Sequence, residues 1–143
     1  MTRTPATPTP STTLLDLAGV DLPSPAHVTT AVVDLPPGDP GTPPHRHAGP
    51  VFGFVLTGAL LFELDDRAPR VLAAGEAFWE PGGELVHWQA ANALATGSTR
   101  FVVVMTSTPG RAMLELLTDE EILRRGRDDL LRPEPSLAER HHR

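Results

Sequence analysis

The chain contains no cysteine, no lysine and no tyrosine. Without cysteine there are no disulfide staples, no thiolate metal sites and no sulfur nucleophile, so any metal must sit on nitrogen and oxygen. Without lysine, Schiff-base chemistry and amine bases are excluded, and the twelve basic residues are all arginine. Without tyrosine no phenol can act as acid or base, which leaves His, Asp, Glu and metal-bound water to handle protons. Long apolar runs are also missing. Nothing approaches the length of a membrane span, and the opening MTRTPATPTPSTT offers no apolar stretch of the signal-peptide kind, so a cytoplasmic location and no membrane partner are expected. A formal net charge of −6 argues against nucleic acid as a partner, since phosphate neutralisation needs clustered cations. The nearest cluster, Arg124, Arg125 and Arg127, follows Asp119, Glu120 and Glu121 and reads as a solvated helix face.

At 143 residues the chain has room for one domain with a real core, hence for one site. Residues 1–12 are mostly Thr, Pro and Ala, too poor in apolar surface to offset their ordering entropy, and are expected to form a disordered tail. His27–Thr30 and Ala31–Leu35 make the first good strand candidate, and a Pro- and Gly-rich stretch then ends at His45. Val51–Leu56 and Ala59–Leu64, separated by Thr57-Gly58, read as a hairpin. Arg70–Leu72, Ala77–Glu80, Leu85–Ala91 and Arg100–Thr106 complete a series of short strands that predicts an all-β sandwich or barrel over 13–110. Thr118 followed by Asp-Glu-Glu predicts a capped short helix within a C-terminal extension over 111–131, with a polar tail over 132–143.

Among six histidines, three stand out: His45 and His47, two apart, and His87 on a later strand. Spacing of two on a strand sends both rings to one face, where neutral imidazoles can share a metal with a third from a facing strand. The other reading of His45 and His47 is a pair of exposed loop residues after a Pro-rich turn. His27, His141 and His142 read as surface or tail residues.

At these residues the sequence resembles the cupin family. Its first motif has two histidines one residue apart, then a glutamate, then a closing glycine; His45, His47 and Gly58 match, Asp39 with Gly38 beside it falls at the leading glycine, and the glutamate position holds Val51. The second motif runs from a glycine through Pro-x-Gly to a histidine and an asparagine. Gly75, Pro81 and Gly83 match in spacing, while His87 and Asn92 come slightly late, which suggests an insertion or bulge near Gly82-Gly83-Glu84. The resemblance covers about Val28 to Met105. It implies a single cupin jelly-roll-like β-barrel with one divalent transition metal on His45, His47 and His87, and it also implies a homodimer.

A three-histidine set lacking the carboxylate suits Fe(II) with open positions or Zn(II) with one, and Mn, Ni or Cu are also compatible with nitrogen ligands. Gln89, two after His87, is expected to share its face and to bond a bound water or substrate. Glu80, before Pro81, is a candidate general base; Glu63 is another acid in the series. Val51, Gly53 and Val55 should line an apolar, roomy pocket. Trp79 and Trp88 are candidates for pocket wall or subunit contact, with Trp88 favoured on the outside. The expected function is a metal-dependent, dioxygenase-like enzyme acting on a small organic substrate. The alternatives are a non-catalytic metal- or ligand-binding cupin serving as sensor or accessory protein, and a metal-dependent isomerase or lyase.

Overall fold

From His27 the chain alternates exposed and covered side chains, the period-two pattern of a strand with one buried face. A computed structural model, which describes residues 2–7 and 9–132, extends this into nine strands. They are β1 (His27–Leu35), β2 (His45–His47), β3 (Val51–Thr57), β4 (Ala59–Leu64), β5 (Arg70–Ala73), β6 (Ala77–Glu80), β7 (Val86–Asn92), β8 (Thr99–Ser107) and β9 (Leu114–Leu116). A helix, α1 (Asp119–Arg124), follows, with Thr118 accepting the Glu121 amide at 3.2 Å as its N-cap. The polar tail read from the sequence at 132–143 lies, beyond Arg132, outside the described residues.

The strands form two antiparallel sheets with orders β1-β8-β3-β6 and β5-β4-β7-β2-β9. The expected all-β, jelly-roll-like barrel with a short C-terminal helix is the observed fold. Its core lies between the sheets, where Val51, Val55, Leu60, Phe62, Phe78 and Phe101 are buried together. A second cluster, Val86, Trp88, Leu117 and Ile122, fixes α1 to the outside of the five-stranded sheet.

The hairpin expected of β3 and β4 is not formed. β3 pairs with β6 and β8 while β4 pairs with β5 and β7, so the chain changes sheets at Gly58. Gly58 has φ +84°, and a Cβ there would strike Thr99 and the Ser98 carbonyl. The Thr99 hydroxyl accepts the Ala59 amide at 3.0 Å, closing the corner. Asn92 holds the neighbouring loops: its amide donates to the Leu35, Pro36 and Gly97 carbonyls, and its oxygen accepts from Leu94 N and Thr99 Oγ1. β9, from the segment read as C-terminal extension, adds to β2 and completes the five-stranded sheet.

Candidate metal centre

β2 is three residues long, His-Arg-His, and its ends are buried while its middle is half-buried. The two rings therefore point between the sheets, and Arg46 points out to pair both guanidinium nitrogens with the Glu121 carboxylate. β2 lies antiparallel to β7 with His45 directly opposite His87, which brings the third ring beside the first two. The ligating atoms of His45, His47 and His87 all lie within 4.8 Å of one another, and the residues are only 4%, 6% and 4% exposed. A buried imidazole normally finds hydrogen-bond partners for its nitrogens. Here, among the described residues, His47 Nδ1 and both nitrogens of His87 have none, which leaves them open to a ligand.

His45 shows how such a ring is prepared. Its Nδ1 lies 2.7 Å from the Pro43 carbonyl, which can only accept, so Nδ1 carries the proton and Nε2 presents its lone pair. That Nε2 sits 3.0 Å from His47 Nε2. Burial, and then the neighbouring His87, lower the His45 pKa to about 4, so the ring is neutral near pH 7 and ready to donate to a metal.

Glu80 approaches from the other sheet. It is 3% exposed, with Oε1 3.1 Å from His87 Nδ1 and Oε2 3.4 Å from His47 Nε2. Burial alone would raise its pKa, but the contacts with His47 and His87 outweigh that and hold it at about 2. Glu80, named from the sequence as a candidate general base, thus faces the histidines.

Gln89 is not brought to the cluster. Glu63 pairs with Gln89 but Leu64 pairs with His87, so Trp88 is an extra residue in β7. The bulge reverses the alternation after His87 and turns Gln89 outward. There its amide donates to Glu63 Oε1 at 2.8 Å, and Glu63 also takes a two-pronged pair from Arg127 at 2.9 and 3.1 Å. Trp88 lies on the outside as expected, with its indole N–H on Asp65 and Arg127 stacked 4.9 Å from its ring. Trp79, opposite in parity to Glu80, is half-buried on β6. His27 is exposed at the start of β1; His141 and His142 lie outside the described residues.

Beside the histidines is a cavity of about 170 Å³ whose walls are mostly apolar, including Val51, Phe78, Phe101, Val103 and Met105. Among the described residues, Glu80 is the one carboxylate lining it, and no arginine does. Of the three residues expected to line it, Val51 does, while Val55 is buried in the core and Gly53 does not widen the cavity. Its cross-strand partner Phe78 lays its ring over the missing side chain, against Phe62 and Phe101. A polar groove lined by Arg46, Glu84 and Arg111 adjoins the cavity, and His47 and Leu114 line both.

Two facing sheets with a buried histidine cluster and a small cavity between them define a jelly-roll barrel with a candidate ligand site. The family model for the cupin domain matches residues 31–105, more than half of the chain, and the chain belongs to the cupin family. No curated protein sequence matches it. Among solved structures it is similar to an oxalate oxidase in complex with the substrate analogue glycolate, at 27% identity and TM-score 0.52, over 81% of this chain and 57% of that one. It is also similar to the DMSP lyase DddQ from Ruegeria pomeroyi DSS-3, at 22% identity and TM-score 0.51, over 62% of this chain and 42% of that one. An RmlC-like cupin family protein from Methanocaldococcus jannaschii matches at 24% identity and TM-score 0.50, over 58% of this chain and 72% of that one. The chain thus spans about half the length of the oxidase and the lyase.

Proposed function

We propose that the protein is a metal-dependent enzyme of dioxygenase-like type that holds one divalent transition metal, Fe(II) or Zn(II) before Mn, Ni or Cu, on His45, His47 and His87. The observation that carries this reading is the set of three buried imidazoles lining one cavity, their ligating atoms close together, with nitrogens of His47 and His87 unpartnered among the described residues. A metal held there supplies Lewis-acid polarisation of a ligand oxygen and, if redox-active, electron exchange with O2.

The remaining residues define what binds. The cavity, at about 170 Å³, is below the roughly 300–1,000 Å³ of sites for drug-sized ligands, so the substrate is small. Apolar walls without arginine select a ligand with an apolar body and an oxygen head directed at the histidines. Likeness to an oxidase whose bound analogue is glycolate supports a small organic ligand. The groove carrying Arg46 and Arg111 is the route from solvent, passing His47 and Leu114. With Gln89 bonded to Glu63, Gln89 acts on the stability of β4 and β7 rather than on substrate. A homodimer is part of the proposal: β1 is an unpaired sheet edge with Val28 and Val32 exposed, the kind of surface a second copy covers.

Anaerobic Fe(II) loading followed by nitric oxide, a surrogate for O2, tests the enzymatic reading. An iron–nitrosyl signal in the electron paramagnetic resonance spectrum is expected, because three histidines leave exchangeable positions. Iron bound without any nitrosyl signal would mean a closed, structural or sensing site.

A further inference from the structure

We infer that Glu80 is a fourth protein ligand of this metal, so that three imidazoles from one sheet are closed by a carboxylate from the other. The inference rests on the reading of the histidines as a metal centre and adds the charged donor that centre lacks.

The first argument is charge. A carboxylate buried away from water is costly unless a cation offsets it. Among the described residues the other buried acid, Glu63, follows this rule through its paired bonds with Arg127. Glu80 is more deeply buried, and no arginine among the described residues pairs with it; the groups paired with it are His47 and His87. A divalent ion among the four side chains supplies the positive charge the pocket otherwise lacks.

The second argument is direction. Glu80 Oε1 is 3.1 Å from His87 Nδ1, yet that nitrogen has no aligned hydrogen bond. Atoms this close and not aimed at each other are arranged as donors around a common point. Two donors each about 2.1 Å from an ion stand about 3.0 Å apart at a right angle and about 3.4 Å apart at the tetrahedral angle. The contacts of 3.0 Å for His45 to His47, 3.1 Å for His87 to Glu80 and 3.4 Å for His47 to Glu80 fall on this range, while the three histidine ligating atoms spread over up to 4.8 Å and must draw together on an ion.

The third argument is register. Val51, at the position where the first motif has its glutamate, is the direct cross-strand partner of Glu80. Both side chains face the same cavity from adjacent strands of one sheet. Valine at 51 fills its place with a methyl surface, 1% exposed, and leaves the approach to the histidines to the neighbouring strand. In this chain the carboxylate has moved one strand over.

The test uses the full chain loaded with Zn(II) or Co(II). In a crystal of the loaded wild type, anomalous scattering should place the metal with a Glu80 oxygen at about 2.0–2.2 Å as well as the histidine nitrogens. Glu80→Gln should weaken metal binding about a hundredfold, the upper end of what supporting groups contribute and a minimum for a direct ligand. The exchange Val51→Glu with Glu80→Val should recover most of that loss and guards against a Glu80→Gln variant that fails to fold. A loaded wild type with Glu80 beyond 3 Å of the metal, or a folded Glu80→Gln with unchanged affinity, overturns the inference and leaves the three-histidine site standing. A wild type that takes up neither metal removes both.

Discussion

Gly53→Ala perturbs the wall behind the site by the smallest possible addition. Gly53 is the cross-strand partner of Phe78, and a Cβ at 53 would lie well inside 3.0 Å of three atoms of the Phe78 ring, against an ordinary carbon contact of about 3.5–4.0 Å. The ring cannot simply rotate away. It packs 4.8 Å from Phe62, whose own ring lies 4.7 Å from His87, and 6.1 Å from Phe101 on the other side. Overpacking of this kind costs about 1–3 kcal/mol. At roughly 4 °C per kcal/mol for a domain of this size, Tm should fall by about 4–12 °C. Because the displaced rings lead to His87, metal affinity should fall too. Thermal unfolding followed by circular dichroism, on metal-free protein, gives the first number. A cycle with Phe78→Leu tests the cause: Gly53→Ala should cost less in the Phe78→Leu background than in wild type, since the obstructing ring is gone. A Gly53→Ala protein as stable as wild type, or costs that simply add, would refute the packing argument.

Three further outcomes are expected. His45→Ala or His47→Ala should abolish most metal binding while the far-ultraviolet circular dichroism is kept, whereas His27→Ala, at an exposed position, should leave metal content unchanged. Arg127→Ala strands Glu63 without its two-pronged partner and should cost about 1–3 kcal/mol in urea denaturation, with no change in metal stoichiometry because both lie on the outer face. In metal-free protein, acidification should destabilise the fold. The unfolded chain protonates His45 below about 6.5 while the folded chain resists until about 4, so about 3 kcal/mol is lost across that window. The Glu80 contribution, present above 4.5, is then lost as pH falls toward about 2. His45→Ala should flatten the first part of the profile.

The histidine cluster was legible because its determinants are local. Two histidines at spacing two on a strand share a face whatever the rest of the chain does, and the spacing of Gly75, Pro81, Gly83 and His87 marked the strand that supplies the third. Gln89 was misplaced for a physical reason: alternation from His87 assumes an unbroken pleat, and a bulge at Trp88 leaves no mark in composition. The β3–β4 hairpin failed similarly. Thr57-Gly58 announces a turn, but whether the chain folds back in one sheet or crosses to the other depends on partners such as Thr99, some 40 residues away. Gly53 could be read only as space, because what fills that space, Phe78, is set by strand register. Glu80 was legible only as a candidate acid before Pro81, because its distance to His47 and His87 is a property of how two sheets face each other.

The most direct test of the central claim is the metal content of untagged protein by inductively coupled plasma mass spectrometry, after dialysis and after anaerobic reconstitution with Fe(II). One metal ion per chain, lost in His45→Ala and His87→Ala, is the expected result. Wild-type protein that retains no transition metal under either condition would contradict the metal centre and leave a metal-free barrel whose buried histidines need another explanation.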